Sequence, residues 1–197
     1  MTWPFGACPP LSYDFILCDP PTKFETWSAA GQGKGPDSQY DTMTWDELKA
    51  LPVSQLGRGD TILFLWACWP TLAQSLDLLE AWGFRYVTGG AWHKRTKHGK
   101  SAFGTGYVLR SATEPYLIGT LGSPQTANNI RNVMESADLD VIDAVTRGHS
   151  RKPDTQYDYC RALAPRAIRF LEMFGRQRWP GWDAFGNETD KFEAETQ

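Results

Sequence analysis

An apolar run, Tyr13-Asp-Phe-Ile-Leu-Cys18, stops abruptly at Asp19-Pro20-Pro21. Two successive prolines cannot continue a strand or begin a helix interior. They stiffen the backbone and so fix where the Asp19 carboxylate and the Pro20 carbonyl point. Two fixed acceptors side by side suit a primary amine, which offers two N–H donors. In open α/β sheets ligands bind beyond the carboxyl ends of the strands, where Asp19 stands. Taken by itself the tripeptide is more often a plain strand end and turn.

Other polar groups fall at comparable places. His149-Ser-Arg-Lys152 is basic and precedes a helix; read alone it is a solvated charge at a helix start. Arg176 follows a strand that ends at Phe174 and Gly175, on the rim of the same edge. Asn187 and Glu188 follow the last short strand. The stretch from His93 to Lys100 puts Lys94, Arg95, Lys97 and Lys100 within eight residues. It is either an ordinary charged loop or, beside the active edge, a strip that contacts phosphates. Gly104-Thr-Gly106 then gives a flexible turn before Tyr107 and Arg110.

The elements that must hold these residues read as alternating strands and helices. Thr44-Trp-Asp-Glu47 fits a capping box, with Leu48, Leu51 and Leu56 following as helix. Thr61 to Trp66 is continuously apolar, as expected of a central parallel strand covered on both faces. Pro70 to Trp82 reads as an amphipathic helix with Leu72, Leu76, Leu79 and Trp82 on one face and Gly83 as its stop. Strands are expected over Phe84–Trp92, Glu114–Gly119, Ile168–Phe174 and Trp182–Phe185, and a helix over Asp154–Leu163, ended by Pro165. The order predicts an α/β fold with a mostly parallel, doubly wound sheet. No repeat or linker divides it, so one domain over 1–188 is expected, with a polar tail over 189–197. Between Thr22 and Asp41 a long Gly/Ser/Lys-rich loop intervenes, of a length that is often functional.

The 197 residues are 41% hydrophobic and 22% charged, enough for one sizeable core and unlike a disordered chain. A net charge of −3 excludes a histone-like binder held by bulk positive charge, though not a local basic patch. Nine tryptophans point to a large aromatic core, or to flat surfaces for stacking bases. Four cysteines without a C-x-x-C pair and three scattered histidines give no pattern for a zinc site or a disulfide framework. The start lacks the regions of a signal peptide, and the longest apolar run, Ile62 to Trp69, is too short to span a membrane. A cytoplasmic, soluble protein is the expectation.

The sequence resembles the N6-adenine methyltransferases of the MT-A70 type. That family includes the catalytic subunit of the messenger-RNA adenosine methylase and many bacterial and phage DNA enzymes. The segments that carry the likeness are Tyr13–Pro21, Leu63-Phe-Leu-Trp66, Trp82-Gly-Phe84, Gly104-Thr-Gly-Tyr107, Glu114, His149-Ser-Arg-Lys-Pro-Asp154, Leu171-Glu-Met-Phe-Gly-Arg176 and Pro180–Asn187. They occur in the family's order over nearly the whole chain, and the phage and bacterial branch matches best. The resemblance implies a Rossmann-like methyltransferase with permuted motif order, using S-adenosylmethionine to methylate adenine in DNA, as a phage or bacterial enzyme without its own nuclease. It makes Asp19, Pro20, Pro21 and Thr22 the catalytic tetrapeptide, Asp19 also bordering the cofactor. It gives Lys152 to the cofactor's methionine carboxylate, Arg176 to the ribose, and Asn187 and Glu188 to ribose and adenine. Lys152 and Asn187 are both expected at surface rims. An upstream cofactor contact falls near Phe5 and Gly6. Glu114 matches a glutamate near the acceptor pocket, or else satisfies a buried neighbour.

Two positions depart from the pattern: Glu188 stands where the family often has Gln, and Thr22 stands where the family has Trp or another aromatic. Trp27 or Tyr40 in the long loop are the candidates to supply that ring. The remaining substrate contacts expected are Lys94, Arg95, Lys97, Lys100 and Arg110. Adenine's exocyclic amine is a poor nucleophile because its lone pair is delocalised into the ring. Asp19 and the Pro20 carbonyl, accepting its two N–H bonds, would localise that pair, so catalysis needs positioning and electrostatics but no metal and no covalent intermediate. Adenine in a duplex must be flipped out. RNA as the acceptor, or a catalytically inactive paralogue acting as scaffold, are the competing readings, and the chain is expected to act as a monomer or homodimer.

Overall fold

Period-two alternation along two strands sets the architecture. In the computed structural model, which describes residues 2–22, 42–96, 98–104, 108–135 and 151–191, β1 spans Tyr13–Cys18 and β2 spans Gly57–Trp66. β1 sends Phe15 and Leu17 to one face and Ile16 and Cys18 to the other; β2 does the same with Ile62, Phe64 and Trp66 against Leu63 and Leu65. All nine side chains are buried, so both faces of the sheet must be covered. Helices α1 (Trp45–Lys49) and α2 (Leu72–Ala81) cover the Ile16 face through Leu48, Leu78 and Leu79. Helix α3 (Thr155–Leu163) covers the Phe15 face through Tyr157 and Cys160.

Five more strands complete a seven-stranded sheet: β3 (Arg85–His93), β4 (Thr113–Leu121), β5 (Val133–Glu135), β6 (Phe170–Met173) and β7 (Trp182–Phe185). Their order is β5-β3-β4-β2-β1-β6-β7. Pairings β1–β2, β1–β6, β6–β7 and β3–β5 are parallel, so the expected mostly parallel, Rossmann-like sheet is present. β4, however, runs antiparallel to both β2 and β3. β2 is therefore central but has a parallel neighbour on one side only. This reversal collects one edge: the carboxyl ends of β1, β2 and β3 and the amino end of β4 lie together. Hydrogen bonds from Ala67 N to Pro115 O (3.0 Å) and from Lys94 N to Ala112 O (2.9 Å) carry the pairing past the strand ends there.

The capping box forms: Thr44 Oγ1 accepts from Glu47 N at 3.2 Å, and Thr44 N donates to Glu47 Oε2 at 2.7 Å. The helix behind it is shorter than expected, with Leu51 outside it and Leu56 in a 3-10 turn over Val53–Leu56. α2 stops as expected, Gly83 taking φ +82°. Its buried stripe is Ser75, Leu78, Leu79 and Trp82, while Leu76 is 36% exposed. Ser75 can sit inside because its hydroxyl donates to Thr71 O at 3.0 Å. Tryptophans 66, 82, 92 and 182 are core residues, and Trp69 is half exposed. The beginning of the expected tail is tied down, Asp190 accepting from Arg178 Nε at 2.5 Å. Among the described residues no helix is long and apolar enough to cross a membrane.

Candidate active site

The end of β1 is fixed from both sides. Asp19 N donates to Met173 O of β6 at 3.3 Å, and Met43 N donates to Pro21 O at 2.8 Å. The Pro20 carbonyl accepts from Thr22 N at 2.8 Å, which uses one of its two lone pairs and leaves the other. The Asp19 carboxylate heads a chain of alternating charge. Lys152 Nζ lies 3.0 Å from Asp19 Oδ2 and 2.6 Å from Glu114 Oε1, and Lys94 Nζ lies 2.6 Å from Glu114 Oε2. Lys152 also stands 5.3 Å from the centre of the Trp66 ring, and Lys94 4.9 Å from that of Trp92.

Lys152 is thus not at a surface rim: its side chain is 8% exposed and is held between two carboxylates. Those carboxylates push its pKa well up, against the burial that would lower it. Burial raises the Glu114 pKa, but the two lysines outweigh it and hold the group down at about 2. Asp19 is pushed above the usual carboxylate range by burial, which Lys152 offsets only in part and Glu114 reinforces. Glu114 therefore does satisfy a buried neighbour. It is joined to Asp19 through Lys152.

Two spaces meet at Asp19 and Pro20. Toward β6 and β7 lies a cavity of about 420 Å³, walled by Met43, Leu51, Phe174 and Phe185 and edged by Arg176, Asn187 and Glu188. Arg176 Nε donates to Glu188 Oε2 at 2.8 Å, and this arginine with Lys191 lowers the Glu188 pKa despite its partial burial. The wall is built on an unusual backbone. Phe174 takes φ +62°, a conformation that costs a bulky residue, and its N–H bonds Phe185 O at 2.5 Å. Gly186 crosses it so closely that a Cβ there would meet Phe174 Cα at 3.0 Å. Toward β2 and β4 lies a recess of only about 20 Å³, lined by Thr22, Trp45, Trp66, Cys68, Ser75 and Glu114 besides Asp19 and Pro20. That holds a water molecule and not a purine. Burial pushes the Cys68 thiol up to about 11, so it is no thiolate nucleophile.

Asp19, Pro20, Pro21, Arg176, Asn187 and Glu188 thus come together around the cavity, Thr22 and Glu114 around the recess, and Lys152 in a third space of about 30 Å³ that shares Asp19, Phe174 and Arg176 with the cavity. Phe5 and Gly6 do not line either space; Phe5 is fully buried, its ring 5.2 Å from that of Phe185. Arg95 is paired with Glu135 at 2.8 Å, Arg110 lies 5.5 Å from the Phe103 ring, and Lys100 is exposed. Trp27, Tyr40 and Lys97 lie outside the described residues. Trp45, Trp66 and Glu172 also reach these spaces and are not among the site residues that the sequence points to. Glu172 on β6 is 6% exposed, accepts from Tyr157 Oη at 2.8 Å, and is pushed up to about 7 chiefly by burial. An acid inside the apolar Phe-Leu-Glu-Met run was the available signal for it.

A family model described as MT-A70 matches residues 13–188, from the first residue of β1 to Glu188. The chain belongs to the MT-A70 family. Its relatives include the type II methyltransferase M.MunI of a Mycoplasma species, 30% identical over 98% of this chain and 85% of that protein. The N(6)-adenosine-methyltransferase MT-A70-like of Arabidopsis thaliana is 31% identical over 90% of this chain and 24% of its own length. The human N(6)-adenosine-methyltransferase catalytic subunit METTL3 is 33% identical over 77% of this chain and 25% of its own length. The chain therefore spans about a quarter of these two eukaryotic relatives. The two eukaryotic relatives are named as N(6)-adenosine-methyltransferases.

Proposed function

We propose that this chain transfers a methyl group from S-adenosylmethionine to the exocyclic amine of adenine in DNA, within one domain over residues 1–188. The observation that carries the reading is that Asp19 and Pro20 border both the cavity and the recess. One pair of acceptors then serves donor and acceptor molecules at once.

The residues present suit the cofactor. A cavity of about 420 Å³ is of the size that holds a nucleoside-bearing ligand. Glu188 is an ionised acceptor for ribose hydroxyls, held by Arg176, with Asn187 beside them and Phe174 and Phe185 as apolar walls. S-adenosylmethionine supplies an electrophilic methyl group on a cationic sulfur. An ammonium has three N–H donors, of which Asp19 and Glu114 take two from Lys152, leaving one for the methionine carboxylate.

On the other side Asp19 and the second lone pair of the Pro20 carbonyl accept the two N–H bonds of the amine. This pulls the nitrogen lone pair out of conjugation and stabilises the positive charge that grows on nitrogen. Lys152 holds Asp19 through their ion pair at 3.0 Å, and Glu114 keeps Lys152 in place. Seating a purine requires the recess to widen, and Trp45 and Trp66 share it with Thr22, the position that lacks its aromatic.

DNA is favoured because M.MunI, a type II methyltransferase, is matched over most of its own length. That relative also supports a cytoplasmic location. An RNA acceptor is the alternative that METTL3 favours by its name. The intact Asp19–Lys152–Glu114 chain argues against an inactive scaffold. The test is incubation with labelled S-adenosylmethionine and mixed-sequence DNA and RNA, then nucleoside analysis. Label in N6-methyldeoxyadenosine is expected. Label only in N6-methyladenosine moves the substrate to RNA, and label in neither overturns the reading.

A further inference from the structure

Among the described residues, the connection from β3 to β4 leaves three apolar side chains in the open. Phe103, Val108 and Leu109 are 82%, 84% and 82% exposed. They stand on built backbone. Past the last paired residues of the two strands, Lys94 N bonds Ala112 O at 2.9 Å and Gly104 N bonds Ser111 O at 2.8 Å, so the pairing continues outward as a hairpin. To its side Arg95 bridges Ser101, and Thr96 N bonds Lys100 O at 2.8 Å. Trp69 braces the root, its Nε1 donating to Thr113 Oγ1 at 3.1 Å.

The hairpin leaves the sheet at the edge that carries Asp19. β3 is three strands from β1, about 14 Å at ~4.8 Å per strand, which is the length of some four stacked nucleotides. Lys94 at its root is linked to Asp19 through Glu114 and Lys152. The surrounding charge identifies the partner. From His93 to Ala112 there are five Lys or Arg and no Asp or Glu, in a chain of net charge −3. Exposed apolar side chains among cations suit a polyanion with apolar faces stacked inside it.

We propose that this hairpin is a wedge that enters duplex DNA beside the target adenine, Phe103, Val108 and Leu109 filling the space that the extruded base leaves. The inference rests on the DNA reading above. A base leaves the stack at a cost in stacking and pairing, and apolar side chains inserted there offset it. A target already in a single strand has no stack to hold open.

The experiment compares the wild type with the combined Phe103→Ser, Val108→Ser, Leu109→Ser variant on PCR-amplified, mixed-sequence DNA, native and heat-denatured, with labelled S-adenosylmethionine. The variant is expected to lose about tenfold or more on native duplex and to stay within about twofold on denatured DNA, tenfold being the scale of one lost base contact. Equal rates on duplex, or an equal loss on both forms, overturn the wedge. A wild type that methylates only denatured DNA overturns it too. So does a variant whose oligomeric state changes, since the patch is then an interface between copies. A wild type inert on both forms fails at the DNA reading itself, which the wild-type assay reports separately.

Discussion

Toward β6 and β7, Asp19 faces about 420 Å³ of open space, and the polar groups there pair among themselves, Arg176 with Glu188 at 2.8 Å. Toward β2 and β4 it faces about 20 Å³, and the polar groups there pair with Asp19 itself through Lys152. The open side rests on backbone geometry, with Phe174 at φ +62° crossing Gly186. The closed side rests on charge, a buried lysine between two carboxylates. The difference teaches that a preformed ligand space comes from how strand ends splay, whereas aiming one carboxylate takes ions that fill the space they guard. The cofactor side should therefore tolerate loss of a charge, and the acceptor side should not.

The largest expected effect is on the closed side. Lys152→Ala leaves Asp19 and the buried Glu114 facing each other without the cation between them, and breaking a buried pair costs about 3–5 kcal/mol, an upper figure here because Asp19 also faces the open cavity. Urea denaturation measures it. A variant as stable as the wild type would show that the ion chain is not what holds this side together.

A second effect lies at Glu172, in the small space that shares Asp19, Phe174 and Arg176 with the cavity, and is read from pH. Burial raises the Glu172 pKa from 4.5 to about 7, so the folded protein favours the protonated form. Its contribution is complete below pH 4.5 and is lost as pH rises through 7, about 3 kcal/mol in all. Glu114 acts in the opposite sense: its contribution is present above pH 4.5 and lost as pH falls toward 2. Glu172→Gln, which keeps an acceptor for Tyr157, should gain about 3 kcal/mol relative to the wild type between pH 5 and pH 8. Parallel stability–pH curves for the two proteins would remove Glu172 from the account.

On the open side Arg176→Ala should weaken S-adenosylmethionine by about 1.5–3 kcal/mol, the worth of one charge-assisted contact. The fold should change little, since the arginine sits on the cavity wall. Calorimetry reads both, and an unchanged Kd would place the cofactor elsewhere.

Much of this comparison is visible in the chain before it folds. The Asp-Pro-Pro stop, the apolar runs of β1 and β2, and the glycine and aromatic punctuation around Phe174 and Gly186 are local signals, and local signals survive translation into sequence. What is lost is direction and depth. Alternation in β4 reads the same for a parallel or an antiparallel strand, so its reversal, which brings Glu114 to Asp19, is not visible. Lys152 has the charge of a surface residue, and only its two carboxylate partners, 133 and 38 positions away along the chain, make burial affordable. α2 offers two stripes, through Leu76 or through Leu78, and the choice falls on the one that Ser75 can complete by bonding Thr71 O. β5 has three residues and one buried side chain, Met134, too little for a pattern.

The central claim is that Asp19 accepts from the target amine, and Asp19→Asn tests it most directly. Asparagine keeps the size and offers one oxygen without charge, while Lys152 keeps Glu114 as a partner at 2.6 Å, so the fold should stand. Removing a preorganised electrostatic contact of this kind costs about 10²–10³ in rate. Measured side by side with the wild type, the variant should bind S-adenosylmethionine with little change and form N6-methyldeoxyadenosine at roughly 1% of the wild-type rate or less. A folded, cofactor-loaded variant that methylates at near the wild-type rate would mean that Asp19 is only the end of a strand.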